Sequence, residues 1–415
     1  MIKAVIYILL GVSITGGTAV ALGKLLLARL RLRLYRNERW LFSFMLGSAC
    51  FSGLLFALAA LHLLYKGVFL AVAALAILGA WRFGRFAEPT ADPPPLPRYW
   101  KWLFWCAWIF FGAIYLCYAM APELSPDGST YHLGLVLTLY RAHGFIPIAT
   151  DFYKNMPAGV EMLFLPAFAF GKHSAAAMVH FLFLLVLPLL IVSFGRRFRL
   201  PAAGVFAALL VFASPVAAID GTSAYVDIGL TAVLFALFYL LQIWDQERGR
   251  SLLIAAGILS GFAFAIKYTG AAGLIYALLF VGWRRQRSGL QALKALAAVA
   301  GIAALWILPW TVKSWVTVGN PLTPFFNGLF PNPYVHPSFV ETWTRNLRHY
   351  DLPSYWRLPM EVTTWGVTTN GLIGPIFLLA PFGLFALRGR EGRRILFCGL
   401  LVFLPYFGNI GTRFL

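Results

Sequence analysis

Acidic residues are scarce in this chain: 15 Asp and Glu among 415 residues, against 34 Lys and Arg. Charged residues of both signs make up 12%, about half the share usual in a soluble domain. Hydrophobic residues reach 60%. These proportions exclude a soluble globular domain. The useful count becomes that of membrane spans, each needing ~20 mostly apolar residues. Cysteine is also rare. Cys50, Cys106, Cys117 and Cys398 all lie in apolar runs without CxxC spacing, which excludes a disulfide framework or a zinc site. Nucleotide-binding signatures are missing: no GxGxxG follows a strand pattern, and there is no P-loop.

The net charge of +19 does not point to nucleic acid. The cations form no single face or tail. They cluster between apolar runs, at Arg29 to Arg39, Arg82 to Arg85, Arg196 to Arg199, Arg284 to Arg287 and Arg388 to Arg394. This is the positive-inside pattern, and it also attracts anionic headgroups, so membrane lipids are the expected partners. The first apolar run, Ala4 to Leu22, lacks an A-x-A cleavage signal and reads as a retained span.

The expected fold is an all-α polytopic membrane protein with about twelve spans. They are placed at 4–22, 40–63, 67–82, 102–121, 175–195, 201–219, 224–243, 251–267, 268–283, 293–317, 366–387 and 395–411. With every basic cluster on the cytoplasmic side, the spans alternate only if Val160 to Gly171 does not cross. At about a dozen residues it suits a re-entrant or juxtamembrane helix, and it is expected to lie on the outer face. Residues 1–82 form an N-terminal three-helix membrane segment. A cytoplasmic linker, 83–100, is rich in proline (Pro89, Pro93, Pro94, Pro95, Pro97). Residues 101–415 form the main membrane region. Two large outer loops, 122–174 and 318–365, are long enough to be functional. No tandem repeat is evident.

The acids concentrate on the outer side, and acids at membrane depth tend to be functional or paired. Asp127 sits in a Pro126-Asp127-Gly128 turn beyond the fourth span. Taken alone it also reads as a helix N-cap. Glu123, His132 and Glu161 cluster around it in sequence. Asp220 and Asp227 flank the start of the seventh span, where the helix dipole alone favours acids. Lys267 lies at the apex of a tight hairpin, against the positive-inside bias, and Arg413 is another outer cation. Lys267 can simply snorkel. Together the two can bind a phosphate, Arg through its planar fork and Lys as a point charge. Gly319, Asn320 and Pro321 form a turn after the tenth span. A carboxylate here can act as general base on a hydroxyl, and cations can stabilise a departing phosphate. One site requires Asp127 to lie within about 20 Å of Asp227 and Lys267.

These residues resemble the GT-C superfamily of polyprenyl-phosphate-sugar-dependent glycosyltransferases, which includes protein O-mannosyltransferases and lipid A aminoarabinose transferases. The likeness runs from about residue 100 onward. It rests on Pro126-Asp127-Gly128-Ser129-Thr130-Tyr131-His132, Asn155-Met156-Pro157-Ala158-Gly159-Val160-Glu161, Ser223-Ala224-Tyr225-Val226-Asp227, Lys267-Tyr268-Thr269-Gly270, Gly319-Asn320-Pro321 and Thr412-Arg413-Phe414. The resemblance implies sugar transfer from a polyprenyl-phosphate donor, with inversion, on the extracytoplasmic side of a cell inner membrane. The acceptor is left open. It implies Asp127 as catalytic base, Asp227 as a supporting or metal-binding acid, and Glu123, His132, Glu161 and Asp220 as further members of that site. Lys267 and Arg413 are implied for donor phosphate, and Tyr131, Tyr268, Gly319, Asn320 and Pro321 for loop structure. A divalent metal is compatible with the pattern, though no ligand spacing specifies one. The sequence departs from the family where an Asp-Glu pair is common, because Gly128 follows Asp127. Related proteins also continue past the Thr412-Arg413-Phe414 stretch, which implies a truncated catalytic region. A transporter or flippase of lipid-linked or small anionic substrates, or an inactive envelope scaffold, are the competing readings.

Overall fold

A computed structural model describes residues 2–87, 95–149, 151–285 and 289–414. Most of the proline-rich stretch of the expected linker, and Arg287, lie outside them. Helices follow the apolar runs: α1 (Ile2–Leu30), α2 (Arg36–Ala60), α3 (Lys66–Phe83), α4 (Arg98–Met120), α5 (Leu133–Ala142), α6 (Gly159–Arg197), α7 (Pro201–Ala213), α8 (Pro215–Thr222), α9 (Asp227–Glu247), α10 (Arg250–Ile266), α11 (Ala271–Arg285), α12 (Leu290–Val318) and α13 (Pro337–His349). A 3-10 stretch (Pro375–Arg388) and a helix (Arg390–Phe403) follow. The all-α membrane architecture is as expected.

The count of twelve spans is not. Among the described residues seven helices are long and apolar enough to cross a bilayer: α1, α2, α3, α4, α6, α9 and α12. Pro215 at the start of α8 lacks the donor that would continue α7, so 201–219 splits into two helices bent by 69°. Helices α10 and α11 have 17 and 15 residues, short for a bilayer of ~30 Å at 1.5 Å per residue. Residues 366–387 form no α-helix. Gly366, Gly371 and Gly374 take positive φ there, and the 3-10 segment beyond buries no residue. The run 395–411 is α-helical only as far as Phe403 and continues as a short 3-10 helix, Leu404–Gly408.

Val160 to Gly171 is helical but does not lie on the surface. Every residue from Val160 to Ala169 is buried. A left-handed Lys172 (φ 60°) separates it from the rest of α6. Its start packs on Ala265 near the end of α10. Just past the break, the Ser174 hydroxyl donates to the Ala121 carbonyl beyond α4. Both ends therefore lie on one side of the protein, and the segment does not cross.

The basic clusters gather at the opposite end. Asp245, near the end of α9, has a side chain only 1% exposed and accepts from Arg248 (2.7 Å), Arg284 (2.5 Å), Arg390 (3.1 Å) and Arg394. Glu38 accepts from Arg197 (2.8 Å) and from the Tyr239 hydroxyl. Asp227 starts α9, so it stands ~27 Å from Asp245 along a helix rising 1.5 Å per residue.

Helices α1, α2 and α6 share one core with α9 and α10. Crossing of α1 and α2 depends on absent side chains. A Cβ at Gly47 would overlap the Ala19 carbonyl, and one at Gly23 the Ser43 carbonyl. Small residues of this kind let membrane helices approach closely. Replacing Gly47 with Ala is expected to destabilise the protein by about 1–3 kcal/mol, the range for overpacking. A lowered thermal midpoint in detergent reads this out. Gly67→Ala, where a Cβ has open space, is the control expected to leave the midpoint in place.

Candidate active site

The loop after α4 folds back on itself through Glu123. Its carboxylate accepts from the Ser125 amide (2.8 Å), the Ser125 hydroxyl (2.5 Å) and the Ala224 amide (2.5 Å). Gly128 makes room for it: a Cβ there would lie 2.7 Å from Glu123 Cδ. The missing second acid after Asp127 thus coincides with a close-packed carboxylate from Glu123. Residues Gly128–His132 form a π turn, closed by the Leu133 amide donating to the Gly128 carbonyl. Such turns recur at functional sites. Asp127 has helical φ and ψ (−68°, −42°) and makes no capping bond with its side chain. The capping alternative therefore does not describe it.

Its carboxylate pairs instead with Arg413, across 286 residues of chain. Arg413 Nε also lies 3.9 Å from Asp227 Oδ2, and Lys267 Nζ lies 2.6 Å from Asp227 Oδ1. One guanidinium therefore spans both acids, so Asp127, Asp227, Lys267 and Arg413 occupy a single site, well inside the 20 Å limit. The guanidinium lies over the rings of Tyr225 (4.6 Å) and Phe414 (4.7 Å), and Lys267 lies over Phe414 (4.0 Å). Cation–π contacts of this kind hold a charge without neutralising it. Burial opposes the Arg413 charge, but Asp227, Tyr131 and Asp127 outweigh it, and its pKa is raised above the usual arginine value. Burial likewise pushes the Tyr131 phenol well above its ordinary value, against the pull of Arg413.

Each charge has a local cause. Asp227 opens α9, where the dipole favours a carboxylate. Lys267 is an extended residue (φ −163°, ψ 146°) between α10 and the 3-10 turn Tyr268–Gly270. Gly270 permits that hairpin, because a Cβ there would overlap the Ala263 carbonyl. Arg413 rides on the 3-10 turn Thr412–Phe414. That turn is tied down by Thr412 donating to the Thr369 carbonyl (2.8 Å) and by Ile410 donating to the Leu347 carbonyl (3.0 Å).

Behind these charges lies a buried polar layer. His132 Nδ1 is 2.7 Å from Glu161 Oε1, with side chains 6% and 7% exposed. Asp220 Oδ2 accepts from the Ile228 amide (2.7 Å). His180 Nδ1 lies 3.0 Å from the carbonyls of Asp220 and Ser223, so it donates, and Nε2 accepts from the Gly229 amide (3.0 Å). Sequence reasoning missed His180, a lone polar residue inside an apolar helix. It also missed Tyr153, which stacks on Tyr131 (4.6 Å, 13°) and accepts from Trp343 Nε1 (2.8 Å). Its stacking partner is 22 residues away in sequence, so no local pattern signals the pair.

The remaining candidates are apart from the charges. Tyr268 meets Phe264 and Phe325 edge-on. Gly319 (φ 74°) ends α12, and Asn320 fixes the next turn by accepting from the Leu322 amide and donating to the Phe325 carbonyl, both 2.9 Å. Pro321 follows in that turn. Among the described residues no three His, Cys, Asp or Glu side chains gather as a metal would require. Asp127 and Asp227 face the cations of the chain itself.

The fold and site define a polytopic, all-helical membrane protein with a compact charged centre at the end opposite its basic clusters. Residues 162–312, a little over a third of the chain, match the family model described as dolichyl-phosphate-mannose-protein mannosyltransferase. No curated protein and no solved structure matches. Over that stretch the chain is similar to membrane glycosyltransferases of the GT-C type. The matched stretch contains Asp220, Asp227 and Lys267, whereas Asp127 and Arg413 lie outside it.

Proposed function

We propose that the protein transfers a sugar from a polyprenyl phosphate to an acceptor on the extracytoplasmic side of the inner membrane, inverting the anomeric carbon. The bridge from Asp127 through Arg413 to Asp227 and Lys267 is the observation that carries this reading. It joins Asp127 to Arg413, and Arg413 and Lys267 to Asp227, which supports reading Asp127 as the base and the two cations as the groups that hold donor phosphate. The site lies opposite the arginine-rich end, and the positive-inside rule makes that end cytoplasmic. The charges sit at helix ends, where a lipid-borne phosphate resides, which favours transfer over transport through mid-membrane sites. Residues 101–415 carry the catalytic region in this reading, and the three N-terminal helices are an addition packed onto it.

In the free protein Arg413 neutralises Asp127. An inverting displacement puts the acceptor oxygen and the leaving phosphate on opposite sides of the anomeric carbon. The contact must therefore open to admit the sugar. Donor phosphate draws Arg413 and Lys267 onto its oxygens, and Asp127 is released to take the acceptor proton. Bond formation to the acceptor oxygen accompanies cleavage of the bond to phosphate, whose new charge the two cations hold.

The test is a reconstitution. Protein in vesicles is supplied with polyprenyl-phosphate sugars, and lipids and glycans are followed by mass spectrometry with and without it. Free polyprenyl phosphate and a glycosylated product are expected to rise together. Donor that crosses the bilayer with its sugar still attached would instead identify a flippase.

A further inference from the structure

Asp127 as base does not account for the buried pair behind it. Glu161, in the first turn of α6, holds His132 Nδ1 through one oxygen, while its other oxygen is buried without a partner among the described residues. His132 Nε2 makes no hydrogen bond with any described residue. A tie of α6 to the π turn needs neither feature. Apolar side chains of similar volume often pack there as well as a buried ionisable pair, and an orphaned buried oxygen costs stability. A buried polar group of this kind calls for an explanation, and a catalytic role is one. A carboxylate on Nδ1 also selects the tautomer: Nδ1 carries the proton and Nε2 keeps a free lone pair. The same carboxylate stabilises an imidazolium once Nε2 is protonated.

The surroundings bring the His132 ring close to the charged centre. His132 closes the π turn that begins right after Asp127. Its ring adjoins Tyr131 (4.2 Å) and Tyr225 (5.9 Å), and Tyr225 lies under Arg413. The charged or titratable groups facing it are Glu161 from α6, Asp227 from α9, His180 deeper in α6, Tyr225 with Arg413 above it, and Tyr131 beside it, while Asp127 immediately precedes its turn.

We infer that His132, oriented by Glu161, is a second proton acceptor, which takes over from Asp127 the proton of the acceptor hydroxyl. The inference rests on the transfer reaction proposed above. The acceptor O–H bond breaks and its proton passes to the Asp127 carboxylate. The acceptor oxygen bonds to the anomeric carbon as the bond from sugar to phosphate breaks, with its electron pair going to phosphate. The proton then moves to His132 Nε2, leaving an imidazolium against the Glu161 carboxylate and Asp127 ionised, and the imidazolium gives the proton up to water before the next cycle.

The experiment is a set of initial rates in reconstituted vesicles, with histidine-labelled protein examined by nitrogen NMR. His132→Gln is expected to lose about 10²-fold in kcat, with donor KM unchanged. Glu161→Gln is expected to change the His132 tautomer ratio. Added imidazole is expected to restore part of the rate of His132→Ala, which a purely structural role would not allow. A His132→Gln protein with wild-type kcat overturns the inference and leaves transfer standing. A wild-type protein that consumes no donor overturns transfer itself.

Discussion

Replacing Asp127 with Asn is expected to lower sugar transfer by about 10²- to 10⁴-fold, the contribution of a positioned general base. Asn keeps the shape of the side chain and an oxygen that accepts from Arg413, so the loop and the C-terminal turn stay in place. The proton acceptor alone is lost. The effect on the donor has the opposite sign. Asp127 competes with donor phosphate for Arg413, so removing its charge frees the guanidinium and is expected to lower donor KM. A fall in kcat together with a fall in donor KM separates a lost base from a damaged fold, which would raise KM. Initial rates over a donor series in vesicles measure both. Full activity in this variant would exclude Asp127 as the base.

Arg413→Gln is the second large effect. Arg413 contacts both acids, and without it Asp127 loses that ion pair while Asp227 keeps Lys267. Loss of one donor to a developing oxyanion costs about 10²- to 10³-fold in kcat, and donor KM is expected to rise as well. Arg413→Lys is expected to recover only part of the loss, because a single ammonium cannot bridge two acids or grip a phosphate with a fork. The Thr412 and Ile410 backbone bonds to Thr369 and Leu347 do not involve the Arg413 side chain. The thermal midpoint is therefore expected to fall much less than the rate. An unchanged rate and donor KM would remove Arg413 from the site's chemistry. Arg413 and Tyr131 both have pKa values raised above their ordinary ones. Each stays protonated through the neutral range, and neither supplies a pH step there.

The four charges that the structure brings together could be picked out of the sequence because its chemistry is so sparse. In a chain with 15 acids, Asp127 and Asp227 stand out by type alone. Lys267 and Arg413 stand out by lying away from the basic clusters. What each side chain touches was not legible. The N-cap alternative for Asp127 was sound local reasoning, and a residue near the far end of the chain overrode it. His180 was hidden because a single polar residue does not break an apolar pattern. The surface placement of Val160 to Gly171 failed for a related reason. Its short length correctly argued against crossing, but neighbouring helices bury it.

Membership of the bilayer, the all-helical class and the separation of a basic end from an acidic one follow from the sequence by itself. Each depends on summed composition and on runs of ~20 residues, which the low dielectric of the membrane reads directly. The tertiary structure alone decided which helices break, as at Pro215, and which acid meets which cation. A bridge from Asp127 to Arg413 joins residues 286 apart. Such a contact depends on how the intervening helices pack, and no local propensity encodes that packing.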